Sequence, residues 1–257
     1  MNCPMSSEVA RPDERDLSAY EITYRESTFE VVQAAFRKRM LVGLLKQLRP
    51  RSILEVGCGL DTLANHWTQA ERFVVVEPGR SFAEEARRAT HGRPDVEVVG
   101  ANLEDAADRL GPRFDLILLS GLLTELTDCA PVLAATRSLC GADTVVHVNV
   151  TNARSFHRLL ALEMGLVDNL LALSDLQHKL QQHRVFTSES LRDLMVESGF
   201  AVFEEGDYFV KPFTHAQMQA LVDQGVLTPQ MLEGLWGMAK HLPGLGSEIY
   251  VNVRRSA

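Results

Sequence analysis

Two glycines, Gly57 and Gly59, sit in the segment SILEVGCGLDT, between an apolar run and a stretch with helical spacing. Glycine lacks a Cβ, so the backbone there can approach a ligand closely and adopt positive φ. The N–H groups at a helix start have no intrahelical partner and can hold an anion or a carboxylate. Cys58 lies inside the turn, and Glu55 stands two residues before Gly57. Glu77 follows Gly57 by twenty residues and closes the run VVVE. An acid at that distance suits the two ribose hydroxyls of a nucleoside. For the glycines alone, an ordinary tight turn is the plain alternative.

A second constellation falls in residues 147–187, which contain TNARSFHRLLALEMGL and SDLQHKLQQHRVFT. His157 suits a proton acceptor or an orienting group, because imidazole titrates near ~6.5. Arg158 and Arg184 suit an anionic ligand, or pairing with local acids. The competing reading makes His157 and Arg158 helix-surface or packing residues. His178 and His183 are five residues apart, which is not a same-face ligand spacing on a helix. Lys211, in YFVKPF, reads as a solvated charge.

The elements that must hold these residues follow from the apolar pattern. Strands are expected over 52–56, 73–76, 96–99, 114–119 and 144–148, and helices over 60–69, 81–90, 103–110 and 130–139. The strands are continuous Val, Ile and Leu runs without polar alternation, as in a parallel sheet covered on both faces. Before them, residues 28–48 have the spacing of an amphipathic helix that ends at Arg49-Pro50. After residue 150 the pattern predicts helix over 153–182, 188–198 and 214–240, and strands over 200–204 and 248–253. The reading is an α/β doubly wound sheet in one domain over 17–257. It carries helical insertions at 150–185 and 212–245 and follows a disordered tail over 1–16. Ligands of such a sheet bind at the carboxyl ends of its strands.

The ordered set Glu55-Gly57-Gly59 and Glu77 fits both NAD and S-adenosylmethionine (SAM). A nicotinamide site commonly shows GxGxxG before its helix, whereas Asp61 stands here and no later glycine opens the helix. The ExGxG pattern resembles class I (Rossmann-like) SAM-dependent methyltransferases. The resemblance implies a seven-stranded, mostly parallel sheet whose last strand runs antiparallel. It implies cofactor contacts from Glu55, Gly57, Cys58, Gly59, Asp61, Glu77 and Pro78. In VGANLED it puts Asn102 or Glu104 on the adenine amine and Leu103 on the ring. In FDLILLSGLLTEL it puts Ser120 and Gly121 beside the cofactor. The family often has Gly where Asp61 stands, so Asp61 is expected to cap the following helix instead. It often has His where Glu125 stands, which leaves Glu125 as a candidate near the acceptor.

The NAxSxHR and HRVF/YT segments are similar to a bacterial subgroup of that family, associated with small molecules of natural-product or surface-sugar pathways. By that resemblance, His157, His183 and Glu125 are catalytic candidates, and Asn152, Arg158 and Arg184 contact the acceptor. Residues Tyr20, Tyr24, Phe29, Arg37 and Arg39 precede the sheet, where such enzymes close a segment over the cofactor. Tyr24 or Arg37 would then touch its methionyl part and Tyr20 the acceptor. A packing helix with a basic edge is the alternative. Residues 212–245 read as core packing, with a homodimer face or a substrate lid as alternatives.

The expected activity is transfer of a methyl group from SAM to an oxygen or nitrogen of a small molecule. The rivals are an NAD-dependent oxidoreductase and a non-catalytic SAM-binding protein. A nucleic-acid substrate is disfavoured by the formal net charge of −8, because phosphates favour basic surfaces. No apolar run reaches the ~20 residues of a bilayer span, and the polar start has no signal-peptide pattern, so a cytoplasmic enzyme without a membrane partner is expected. Cys3, Cys58, Cys129 and Cys140 form no CxxC pair, and neither a structural metal nor a disulfide is expected.

Overall fold

A computed structural model describes residues 16–26, 28–111 and 113–256, without the Thr28 side chain. Of the expected tail over 1–16, residues 1–15 lie outside the described residues. Asp16 is described, and its backbone exchanges two hydrogen bonds with the Gln181 side chain.

Two helices come first, α1 (Leu17–Glu26) and α2 (Thr28–Leu48). Strands β1 (Ser52–Val56), β2 (Arg72–Val76), β3 (Val96–Val99), β4 (Phe114–Ser120) and β5 (Cys140–Thr151) follow. Helices α3 (Arg80–Ala89), α4 (Leu103–Ala106) and α5 (Ala130–Ser138) connect them. The rest comprises α6 (Phe156–Glu163), α7 (Asp175–Lys179), α8 (Ser188–Glu197), β6 (Phe200–Tyr208), α9 (His215–Asp223), α10 (Pro229–Gly237) and β7 (Glu248–Arg255). The strands form one seven-stranded sheet in the order β3-β2-β1-β4-β5-β7-β6, with β7 antiparallel to both neighbours. This is the doubly wound, mostly parallel sheet with an antiparallel last strand that the sequence implies.

The central strands bury mostly apolar side chains because both faces are covered. Leu54, Val56, Ile117 and Leu119 face one core layer, under α4, α5 and α8. Ile53, Phe73, Val75, Leu116 and Leu118 face the other, under α2 and α3. A third cluster joins Phe29 and Phe36 of α2 to Tyr208, Phe209 and Met218. Phe36 stacks on Phe209 at 4.3 Å between ring centroids and on Trp236 at 5.5 Å. The region after β6 is thereby packed on α2.

Three expected helices are corrected. The one expected over 214–240 is broken into α9 and α10 by Gly225 at φ +69°, whose N–H donates to the Val222 carbonyl. The helix expected over 60–69 is a 3-10 turn, Leu63–His66. Thr62 caps it by accepting from the Ala64 N–H, and Glu55 takes the Leu63 N–H. Arg93 donates to the carbonyls of Ala64 and Trp67, so those groups have partners without a following helical turn. Asn65, His66, Trp67 and Thr68 add little helical propensity to compete. The helix expected over 153–182 is broken into α6 and α7. Gly165 adopts φ +68° and ends α6, with the Gly165 N–H donating to Leu162 and the Leu166 N–H to Ala161. Ser174 then starts α7 with a capping box to Gln177.

Candidate active site

The carboxyl ends of β1, β2, β4 and β5 open into one cavity of about 1700 Å3. Its outer half is the glycine turn. Gly57 and Gly59 hold φ +79° and +55°, a left-handed conformation natural to glycine. The Gly57 N–H donates to the Val76 carbonyl at 2.8 Å, tying the turn to β2. Glu77, buried at the end of β2, accepts from the Cys58 N–H at 2.9 Å and from the Gly79 N–H at 2.7 Å. Burial raises the Glu77 pKa above the usual carboxylate value, against the lowering effect of these two donors.

Glu55 is turned into the local structure. It accepts from the Thr62 hydroxyl and, at 3.0 Å, from the Leu63 N–H. Burial lifts its carboxyl to about 7 in spite of those donors. Contrary to the expectation, Thr62 rather than Asp61 caps the following turn. Asp61 instead bonds Lys38 of α2, Asn65 at 2.8 Å and His66 at 2.8 Å. Among the described residues, Arg49, Gln181 and Phe209 are the non-glycine positions with positive φ, so Asp61 occupies a conformation that does not require glycine.

Helix α1 lies over this half. A Cβ built on Gly59 would stand 3.6 Å from the Tyr24 hydroxyl. Tyr20 and Tyr24 pack edge-on against Phe82 of α3, with centroids 6.1 and 5.9 Å away. Glu21 accepts from the Ser81 N–H at 3.1 Å. The Tyr20 hydroxyl donates to Glu125 at 2.7 Å, so Glu125 fastens α1 to the segment after β4. Ser120 and Gly121 line the cavity next to it, Gly121 turning the chain with φ +74°.

The inner half is polar and buried. Arg37 binds Glu248 through Nε at 3.0 Å and Nη2 at 2.5 Å, and binds Glu30 at 3.1 Å. Glu248 also accepts from Asn149 at 2.8 Å, from Gln33 at 3.0 Å and from the Tyr208 hydroxyl. Burial works against ionisation of Glu30, but Arg37, His215 and Lys211 outweigh it and hold its pKa at about 2. Glu248 is lowered as well, since Arg37 outweighs its burial. Lys211 is 2% exposed, and its Nζ lies 2.9 Å from His215 Nδ1. Burial pulls the Lys211 ammonium down to about 8. His157 lines the cavity, with Nδ1 3.1 Å from Ser155 Oγ. Burial, and then the charge of Lys211, push His157 well below 6.5.

The structure brings together on the cavity Glu55, Gly57, Cys58, Gly59, Asp61, Glu77, Pro78, Ser120, Gly121, Tyr20, Tyr24, Arg37, Glu125, His157 and Arg158. It does not bring the remaining sequence candidates there. Leu103 is a core residue under the sheet, and Asn102 and Glu104 are exposed beside it. Asn152 is buried and donates to the carbonyls of Gly244 at 2.9 Å and Gly246 at 2.8 Å, so its amide organises the loop before β7. Arg184 donates to the Thr127 carbonyl. His183 is exposed, and its backbone N–H bonds the Thr124 carbonyl at 2.8 Å. Arg37 is committed to two carboxylates. Arg158 is committed to the carbonyls of Leu170 and Ala172 and to Gln177. Lys211, expected to be solvated, is buried.

Glu30, Gln33, Thr62, His215 and Glu248 also belong to the site, although no motif in the sequence marks them. One spacing carried a signal: Glu30 and Arg37 stand two turns apart on one face of α2. Glu248 is a lone acid opening an apolar strand, and its partners come from elements far away in the chain.

Among the described residues, no helix is long and apolar enough to cross a membrane, and no group of three or more His, Cys, Asp or Glu suits a metal ion. Cys58, Cys129 and Cys140 are free and buried.

A family model described as a methyltransferase domain matches residues 24–205, more than two-thirds of the chain. That match sets aside the nicotinamide-enzyme and non-catalytic readings of the glycine turn. No curated protein matches the sequence. Among solved structures, the plantazolicin methyltransferase BamL, in complex with a triazolic desmethylPZN analog and S-adenosylhomocysteine (SAH), aligns with a TM-score of 0.59 at 13% identity, over 94% of this chain and 97% of that one. A SAM-dependent methyltransferase from Thermotoga maritima aligns with a TM-score of 0.56 at 16% identity, over 91% and 99% of the two chains. The N-methyltransferase NodS from Bradyrhizobium japonicum WM9 aligns with a TM-score of 0.54 at 11% identity, over 90% and 98%. At such identities the likeness is one of fold.

Proposed function

The chain belongs to the methyltransferase-domain family and is a SAM-dependent methyltransferase, and from that premise we propose that it methylates an oxygen or nitrogen of a small-molecule acceptor bound in the inner half of the cavity. The observation that carries this reading is the single cavity of about 1700 Å3 running from Gly59 to Lys211. Pockets for one drug-sized ligand span ~300–1,000 Å3, so this one has room for a cofactor and a second small molecule.

The residues fit SAM on physical grounds. Gly57 and Gly59 leave a face of the turn without side chains. Glu77 offers a carboxylate inside the cavity, on the side of the turn that suits ribose hydroxyls. Gly57, Cys58 and Gly59 would border the amino-acid portion, with Pro78, Ser120, Gly121 and Tyr24 around it. When bound, the cofactor supplies an electrophilic methyl group on a sulfonium. Asp61 acts on this site through the turn, because its carboxylate holds Lys38 and fixes α2 against residues 61–66.

Transfer to oxygen or nitrogen is an in-line displacement, so the protein's work is to align the acceptor and accept a proton where one must leave. His157 suits the second task. Its depressed pKa keeps the imidazole neutral at pH 7, with a lone pair available. Glu125 supports the first, holding α1 over the site through Tyr20. Tyr20 would thereby also border the acceptor. Small-molecule acceptors are favoured over nucleic acid by the net charge of −8 and by the concave, mixed polar and apolar lining.

The test is turnover. Protein incubated with methyl-labelled SAM and a panel of small hydroxyl and amino compounds should release SAH and label at least one acceptor. Release confined to the protein-free rate across the panel would count against catalysis on small molecules. A co-crystal with SAH and an acceptor then tests His157. If its ring lies more than ~8 Å from the acceptor atom, beyond reach through one water, the proton-acceptor role fails.

A further inference from the structure

Lys211 is a charged side chain buried three residues beyond β6, and it lines the cavity. Its Nζ meets one side-chain partner, His215 Nδ1, at 2.9 Å. That nitrogen accepts from the ammonium, which leaves the imidazole proton on Nε2, 3.3 Å from Glu30. His215 is thus neutral in this arrangement and adds no negative charge. Among the described residues, no carboxylate lies within ion-pair distance of Lys211.

The carboxylates nearest Lys211 are engaged elsewhere. Glu30 and Glu248 act favourably on Lys211, and Arg158 acts against it. Both carboxylates are already taken by Arg37. Among the described residues, the partners of Arg158 are neutral: the carbonyls of Leu170 and Ala172 and the Gln177 amide oxygen. Among the described residues, Arg37 thus takes the two carboxylates nearest Lys211 and leaves the buried ammonium without one of its own. An unpaired buried charge is costly, and such groups are ordinarily paired.

On the reading of the inner cavity as the methyl-acceptor site, we propose that Lys211, oriented by His215 and flanked by His157, binds a carboxylate carried by the acceptor. One carboxylate supplies the missing negative charge. A phosphate dianion would overshoot it, and a neutral or cationic group would leave Lys211 unpaired. The arrangement moves anion recognition from Arg158 and Arg184, whose guanidiniums are bonded to carbonyls, to the lysine of YFVKPF. Burial of Lys211 strengthens the attraction, since the local dielectric is low.

Matched pairs of probes test this: benzoate and benzamide, phenylacetate and phenylacetamide, hexanoate and hexanamide. Each is titrated into SAH-saturated protein and followed by ligand-observed NMR. The carboxylates should bind, with the amides at least about tenfold weaker. The preference should vanish in Lys211→Met and persist in Lys211→Arg. SAH affinity, measured on every variant, reports that the fold is kept. Equal binding within the pairs, no carboxylate binding at all, or an undiminished preference in Lys211→Met overturns the proposal. Failure of the wild-type protein to bind SAH would instead remove the reading on which it rests.

Discussion

The Glu77 carboxylate accepts the Cys58 N–H at 2.9 Å, so the end of the second strand clamps the turn that follows the first. One oxygen holds the glycine turn, and the other holds the Gly79 N–H where α3 begins. The carboxylate is therefore rigid before any ligand arrives. Replacing Glu77 by Ala should weaken SAH binding ~10–100-fold, the cost of losing charge-assisted bonds to two hydroxyls. Calorimetry checks the loss, and circular dichroism checks that the fold remains. An affinity within threefold of wild type would remove Glu77 from the cofactor site.

Arg37 ties α2 to the first residue of β7. Arg37→Met would strand two buried carboxylates, Glu30 and Glu248. Removing one partner of a buried pair costs ~3–5 kcal/mol, and urea unfolding should show a loss of that size. Adding Glu248→Gln to Arg37→Met should recover part of it, because the stranded charge is then gone. A double variant no more stable than the single one would contradict the pairing.

Acid should destabilise the protein through the same cluster. Glu30 and Glu248 have folded-state pKa values below their unfolded ones, Glu30 at about 2. A depressed carboxylate contributes stability above its unfolded pKa and loses it as pH falls through the folded pKa. Stability should therefore decline from pH ~4.5 downward, toward pH ~2, on the order of a few kcal/mol. Glu30→Gln should flatten that part of the profile. An unchanged acid limb in Glu30→Gln would assign the titration to other groups.

The two candidate histidines should separate cleanly. His157→Gln should lower kcat ~100-fold or more while leaving SAH affinity near wild type, the signature of a proton acceptor. His183→Gln should leave both unchanged, since His183 is exposed and outside the cavity. Steady-state kinetics on the first acceptor identified decides it. Equal losses in both variants would mean that the cavity geometry misleads.

What the sequence made legible was local. Apart from Glu55, the runs 53–56 and 73–76 are apolar because they lie between two core layers, and Glu77 follows directly on the second. The helix after β1 was not legible. Its fate depends on Arg93, far along the chain, taking the carbonyls of Ala64 and Trp67. Asn152 looked like an active-site amide because it follows a strand; the loop at 244–246 that claims it comes nearly a hundred residues later. Lys211 looked solvated because nothing adjacent in sequence reveals that α2 and α9 cover it. Asp61, standing where the family often has glycine, is explained by a backbone that needs no glycine and by Lys38, a partner on the preceding helix.

The central claim is that Gly57, Gly59 and Glu77 form a SAM site. Isothermal titration of SAM and SAH into the full chain tests it most directly. The account predicts single-site binding at roughly micromolar to sub-millimolar concentrations for both. No heat from either ligand at about millimolar concentration, with the protein folded, would contradict it.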